Sequence, residues 1–169
     1  LKGQDHPALP RTEDRIQAIP GRHGAWDFGA EMRTRDFSLP LEFIGLASAA
    51  ALQAKVREFV EHLLGDDGRP RTLELIFDTE PDVRYWVRYS GRMRLTRMVE
   101  GGRFTLPLTA VDPWAEDVEE QVVDKEITTS PDTLTVVNGG TVETPAVIVI
   151  RNTGTADITN IKITRTREA

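Results

Sequence analysis

Hydrophobic residues recur along this chain with two different periods, and the switches between them mark out its elements. From Arg33 to Ile44 the pattern alternates, with Phe37, Leu39, Leu41 and Phe43 on one face, the signature of a half-buried strand. Pro40 lies in the same run and has no N–H to donate, so an edge strand or a bulge is expected there. From Ser48 to Leu64 the spacing becomes helical. Leu52, Val56, Phe59, Val60 and Leu63 form one apolar stripe, while Lys55, Arg57, Glu58, Glu61 and His62 fall mostly off it. Ser48 suits the N-cap, and Gly65 follows the last apolar position as a C-terminal glycine would. Alternation then returns three times. Thr72–Asp78 carries Leu73, Leu75 and Phe77. Val83–Arg97 carries Val83, Tyr85, Val87 and Tyr89, with a break expected at Gly91. Arg103–Val111 carries Phe104, Leu106, Leu108 and Ala110. Glu100-Gly101-Gly102 is expected to turn between the last two, and Pro107 again points to an edge or a bulge.

The flanks differ from this centre. Residues 1–24 are rich in Pro, Gly and charge, which predicts an extended arm with one short strand near Arg15–Ile19 and a Pro20-Gly21 turn. Asp112 to Glu126 holds seven carboxylates against the single Lys125, the composition of a solvated linker or edge. Residues 126–169 change to Thr, Val, Ile and Asn, with turn signals at Asn138-Gly139-Gly140 and Asn152-Thr153-Gly154. Val147–Ile150 and Ile158–Thr164 read there as strands of a sandwich. A unit of about 45 positions rarely folds alone, so this is expected to be the start of a second β-domain, cut short. The expected organisation is residues 1–115 as a first domain, 116–125 as an acidic linker and 126–169 as the partial second domain. The fold class is mainly β (α+β): a β-sandwich or split-barrel-like sheet with one packed helix, then a partial sandwich.

Composition narrows the chemistry. The 169 residues are 39% hydrophobic and 28% charged, as in a globular protein. No apolar run nears the roughly 20 residues that span a bilayer, so no membrane insertion is expected. Leu1-Lys2-Gly3-Gln4-Asp5 has no apolar stretch behind its lysine and does not read as a signal peptide. Because position 1 is not Met, the chain is not expected to start at its biological N-terminus. With no cysteine, disulfides, thiolate catalysis and cysteine zinc sites are excluded. A net charge of −6 argues against specific nucleic-acid binding, which needs clustered Lys and Arg.

Catalytic constellations are equally thin. His6, His23 and His62 are far apart in sequence. His62 suits a helix C-terminus, and His23 suits a backbone hydrogen bond in a turn. Asp66-Asp67-Gly68 and Asp112–Glu126 lack the alternation of a calcium loop, and no serine sits in a nucleophile elbow. Neither an enzyme nor a cofactor or metal is expected. The features left over are aromatic and basic. Tyr85 and Trp86 occupy opposite faces of one strand, so one is expected in the core and the other is a candidate for an intersubunit contact, with Trp114 as a further candidate. Arg84, Arg88, Arg92, Arg94 and Arg97 punctuate the same strand. Solvation explains such a face. So would salt bridges to an acidic neighbour, with Arg88 and Arg92 meeting the Asp112–Glu126 segment of an adjacent subunit.

The order of these parts resembles a known family. An arm leads to Ile19-Pro20-Gly21-Arg22-His23-Gly24-Ala25. A strand with Arg33 and Phe37 follows, then the helix, Leu73–Asp78, Tyr85-Trp86-Val87, Gly101-Gly102-Arg103-Phe104 and finally Asp112-Pro113-Trp114. This is similar to the N-terminal domain of the siphophage distal tail proteins, and 126–169 is similar to the start of that family's galectin-like or carbohydrate-module-like C-terminal sandwich. The resemblance implies a non-enzymatic virion protein whose copies form a hexameric ring. It also implies partners: the tail tube protein above the ring, a tail-associated fibre or lysin protein below it, and in many phages receptor-binding proteins. The place implied is the virion tail, assembled in the cytoplasm of a bacterial host. Six copies would carry −36 in formal charge, and a lumen that is not basic would let DNA pass without sticking. Two other classes remain: a carbohydrate-binding module for host-surface recognition, and a tail-tube-type ring protein. Residues 122–169 contain no Trp or Tyr on which a sugar could stack, which speaks against the first. The appended second domain speaks against the second.

Overall fold

The computed structural model describes residues 7–98 and 101–166. The chain divides into two units between Gln121 and Val122. The first unit is mainly β with one helix. Its elements are β1 (Thr12–Ala18), β2 (Ala25–Met32), β3 (Arg35–Phe43), α1 (Ala49–Leu63), β4 (Leu73–Phe77), β5 (Glu80–Tyr89), β6 (Thr96–Met98), β7 (Gly101–Ala110) and β8 (Glu116–Asp117). Strands β3-β7-β5-β4 form the main sheet in that order, with β6 beside β7 and β8 beside β5; among the described residues, β1 and β2 pair only with each other.

The alternation of β3 and β7 is what sorts this sheet into two faces. They run antiparallel in unbroken register from Arg35↔Ala110 to Phe43↔Gly102. Phe37, Leu39, Leu41 and Phe43 therefore meet Leu108, Leu106, Phe104 and Gly102 on one side. Asp36, Ser38, Pro40 and Glu42 meet Thr109, Pro107, Thr105 and Arg103 on the other. The apolar side is the core: Phe37, Leu63, Phe77, Tyr85, Val87, Phe104, Leu106, Leu108 and Ala110 are buried together. Two aromatic triplets anchor it. Phe37 stands 5.1 Å from Tyr85 and 5.9 Å from Phe77. Phe104 stands 5.3 Å from Phe59 of the helix and 5.1 Å from Phe43. Tilted ring contacts of this kind contribute about 0.5–1.5 kcal/mol each beyond burial.

The helix starts where the sequence places it. Ser48 has extended backbone, and its hydroxyl accepts from the Ala51 N–H at 3.1 Å. It stops by a different device from the one expected. Gly65 is not in the left-handed region; the helix ends because Leu64 turns extended (φ −113°, ψ 145°) while its N–H still donates to Val60.

The prolines and glycines of the sheet also refine the expectations. Pro40 does lie on an edge, since among the described residues β3 is paired only with β7. Pro107 lies in β7, a central strand, and not at an edge. Its carbonyl accepts from Ser90 N–H at 3.2 Å, so its missing N–H points toward the same neighbour. That neighbour is interrupted: β5 ends at Tyr89 and β6 begins at Thr96. The break falls at Gly91 (φ +117°), where the Tyr89 hydroxyl donates to the Gly91 carbonyl and accepts from Met93 N–H. A residue unable to donate is therefore tolerated inside a central strand. Gly101 and Gly102 are not a turn. They are paired residues of β7, opposite Met98 and Arg97, and the Glu100 part of that expectation lies outside the described residues.

In the second unit, two turns share one construction. Asn138 accepts from Gly140 N–H through its side-chain oxygen and donates to Val142 C=O. Asn152 does the same with Gly154 and Ala156. Both are side-chain mimics of a backbone turn. Val147–Ile150 and Ile158–Thr164 carry no strand pairing among the described residues, and Val147, Val149, Ile158, Ile161 and Ile163 are exposed. The reading of these segments as paired strands is corrected. A strand requires a neighbour to take its N–H and C=O groups, and their composition alone does not supply one.

Candidate assembly surface

Tyr85 and Trp86 separate as the alternation requires. Tyr85 takes the core face, 4% exposed, and is thereby closed to any partner. Trp86 takes the outer face, 38% exposed. Its indole N–H donates to Glu116 Oε2 at 2.9 Å, and the Arg84 guanidinium lies 5.0 Å over its ring. Arg84 also donates to Glu74 at 2.8 Å and stands 3.6 Å from Glu116. An acidic partner for this arginine strand is thus found in the same chain. Glu116 and Asp117 form β8, in register with Arg84 and Val83, so the acidic segment begins inside the first unit and not in a linker. Arg88 and Arg92 are exposed on the outer face and in the β5–β6 gap, and the exposed Trp114 lies just before β8.

The sequence reading assigns no element to Ala25–Met32, which holds three of the exposed large hydrophobic residues of the first unit, Trp26, Phe28 and Met32. β1 and β2 form a hairpin whose residues are all exposed. Register runs from Thr12↔Met32 to Asp14↔Ala30, then shifts to Ile16↔Asp27 and Ala18↔Ala25. The shift sets Phe28 and Gly29 against Arg15 alone, a bulge that Gly29 accommodates at φ +92°. Asp27 fixes it by accepting from Gly29 N–H at 2.8 Å. Ion pairs Arg15–Glu31 (2.6 Å) and Arg33–Glu13 cross between the strands. Arg15 donates a hydrogen bond to Glu31, which holds that carboxyl below the usual glutamate range and raises the guanidinium in turn. Apolar side chains remain open as well: Ile16 is 65%, Phe28 66%, Trp26 51% and Met32 42% exposed. The signal for β2 was present, since Trp26, Phe28, Ala30 and Met32 alternate with Asp27, Gly29 and Glu31.

The base of the hairpin is tied to the main sheet. Arg33 N–H donates to Arg11 C=O at 2.7 Å. Arg35, buried at the start of β3, donates to the carbonyls of Pro7 at 2.5 Å and Ala8 at 3.3 Å. Its guanidinium lies 4.7 Å from the Tyr85 ring and 5.7 Å from the Phe37 ring. A buried cation is here compensated by two carbonyls and two ring faces. Among the described residues, no group of three His, Asp or Glu side chains could hold a metal ion, and no helix is long and apolar enough to cross a membrane.

Residues 1–110 match the family model described as the phage tail protein RIFT-related domain. The chain belongs to that family. Membership makes it a phage tail protein, in agreement with the resemblance to distal tail proteins read from the order of its parts. Among solved structures, the Dit (gp 19.1) protein of SPP1 shares this fold with a TM-score of 0.56 at 18% identity. That protein is described as a paradigm of the hub adsorption apparatus in phages infecting Gram-positive bacteria. The likeness covers 68% of this tail protein and 44% of the SPP1 chain, so the matched part is less than half of that chain. No match is found among curated proteins.

Proposed function

We propose that this tail protein is a structural, non-enzymatic ring subunit of a phage or prophage tail. Six copies close into a ring that joins the tail tube to the tip, with a fibre or lysin protein below and, in some phages, receptor-binding proteins attached. The place of action is the virion tail, after assembly in the bacterial cytoplasm. Ring formation is assigned to the first unit. The observation that carries this reading is the β1–β2 hairpin. An isolated two-stranded hairpin is marginal in water, and this one leaves Ile16, Trp26, Phe28 and Met32 open. Such a surface on a folded domain marks a place where another chain lies.

The test is the mass of the assembly in solution. Light scattering and native mass spectrometry are expected to give six times the 18.9 kDa chain, and negative-stain images are expected to show six-fold rings. A strict monomer at high concentration, with the circular-dichroism spectrum of a folded β-protein, would refute the ring. Replacing Ile16 and Phe28 together by Glu is expected to dissociate the assembly while leaving the sheet folded.

A further inference from the structure

Two surfaces of the first unit are opposite in charge, similar in side-chain type and far apart in sequence. The first is the hairpin tip, residues 19–24. Gly21 (φ +83°) and Gly24 (φ +87°) reverse the chain, and Arg22 N–H donates to Ile19 C=O at 3.2 Å. The Arg22 guanidinium lies 5.1 Å over the Trp26 ring, and Trp26 is itself about half exposed. No carboxylate occurs from Ala18 to Trp26, so the tip presents one stacked cation on an aromatic plate. The second surface is the outer edge of β5 where β8 joins it. Trp86, Trp114 and Val111 are exposed there. Asp112, Glu116, Asp117, Glu119 and Glu120 follow one another with no Lys or Arg between Asp112 and Gln121. Arg84, the cation nearest this acidic strand, is already engaged by Glu74 and Glu116.

We propose that the Arg22–Trp26 tip of one copy docks on the Trp86–Trp114 acidic edge of a second copy. The proposal rests on the ring reading above and gives it a direction. Trp and Arg are the residue types that carry interface energy when they are covered, and opposite charge selects the register in which they meet. The two surfaces are different parts of one chain, so the contact is head-to-tail. A head-to-tail contact can be repeated from copy to copy and closes into a ring when its rotation permits, whereas a self-complementary patch would stop at a dimer. The occupant is accordingly another copy of this chain, not a different tail protein.

The test uses two charge-reversed full-length chains. One carries Arg22→Glu and so has an acidic tip and an acidic edge. The other carries Asp117→Lys, Glu119→Lys and Glu120→Lys, which takes the five acidic positions of the edge from −5 to +1, and so has a basic tip and a basic edge. Each alone is expected to raise the protein concentration needed for ring formation by about tenfold or more at low salt. The effect shrinks as salt screens it. Mixed in equal amounts, the two chains are expected to form rings again, because the acidic tip of one fits the lysine-bearing edge of the other and the basic tip of the second fits the acidic edge of the first. Native mass spectrometry of the two masses would show alternating composition. If each variant forms rings as the parent does, the docking is wrong while the ring stands. If both are folded by circular dichroism, fail alone and still fail when mixed, the docking is also wrong. A parent chain that never forms rings overturns the ring reading itself and the docking with it.

Discussion

An alanine at position 101 brings its methyl group into collision with backbone, and the cost can be worked from the geometry. The added Cβ would lie 1.8 Å from the Phe43 carbonyl oxygen and 2.9 Å from its carbon. Ordinary contact is near 3.4 Å, so β3 and β7 must part by more than 1 Å where Phe43 pairs with Gly102. Backbone cannot rotate out of the way as a side chain can. Overpacking of this type costs about 1–3 kcal/mol, and a disturbed ladder hydrogen bond adds about 1 kcal/mol. Removing a glycine from the unfolded chain offsets roughly 0.5–1 kcal/mol. Gly101→Ala is therefore expected to destabilise the first unit by about 2–3 kcal/mol, which lowers its melting temperature by roughly 10 °C.

Gly102 supplies the internal comparison. Its added Cβ would meet Leu95 Cδ1 at 2.8 Å and the Leu52 methyls at 3.2 and 3.4 Å, the far ends of side chains that can shift. Gly102→Ala is expected to cost about 1 kcal/mol. Gly139→Ala, with nothing within 4 Å of the new methyl and no positive φ, is expected to be nearly silent. Urea unfolding followed by near-ultraviolet circular dichroism orders the three. A Gly101→Ala protein within 0.5 kcal/mol of the parent would show that this glycine pair does not serve close strand approach, and the reasoning would fail.

Three further outcomes follow from the same contacts. Arg35→Met removes the donor to the Pro7 and Ala8 carbonyls and the cation over Tyr85; it is expected to cost about 1–3 kcal/mol and to speed tryptic cleavage after Arg11, and unchanged cleavage would refute the clamp. Glu31, held low by the hydrogen bond from Arg15, stabilises the hairpin fully above the ordinary glutamate range and loses that contribution as pH falls through its lowered folded value; a carboxyl NMR titration should show a low midpoint that rises in Arg15→Ala, and an unshifted midpoint would refute the pair. Glu116→Gln weakens the acceptor for the Trp86 indole and removes one of the two carboxylates beside Arg84; stability should fall by less than about 1 kcal/mol because the site is open to solvent, while the Trp86 indole resonance shifts, and an unmoved resonance would refute the contact.

Much of the sheet was legible because its strands are buried on one face only. Phe37 through Phe43, Leu73 through Phe77 and Phe104 through Ala110 alternate without interruption, so period alone identifies both the element and its core face. The helix was legible for the same reason, with Ser48 marking its start. Three features were hidden because they depend on distant chain. Gly101 and Gly102 read as a turn, since glycine pairs usually are one; only the approach of Phe43 reveals that they are packed. Pro107 read as an edge because sequence does not show that β5 and β6 leave a gap beside it. The acidic run read as a linker, since nothing local reveals that Glu116 lies opposite Arg84. The candidate site was the least legible part. Tyr85 and Trp86 were separable by alternation, and the expected strand near Arg15–Ile19 overlaps β1, but β2 escaped although its residues alternate, because its apolar side chains face no core.

That last point ties the fold to the assembly. In the main sheet Phe104, Leu106 and Leu108 of β7 are buried within the chain. In β1–β2 the charged residues Glu13, Arg15, Glu31 and Arg33 pair across the strands, while Ile16, Trp26, Phe28 and Met32 are exposed. A hairpin with satisfied charges and uncovered hydrophobic residues gains from being covered. Any partner that binds the ordered hairpin stabilises it by mass action. The buried Arg35 keeps the base of the hairpin fixed to the core in the meantime, so that covering it does not also require the first turn of the arm to be ordered from scratch. The division between a finished sheet and an unfinished hairpin is what a subunit needs if it is to fold before it assembles.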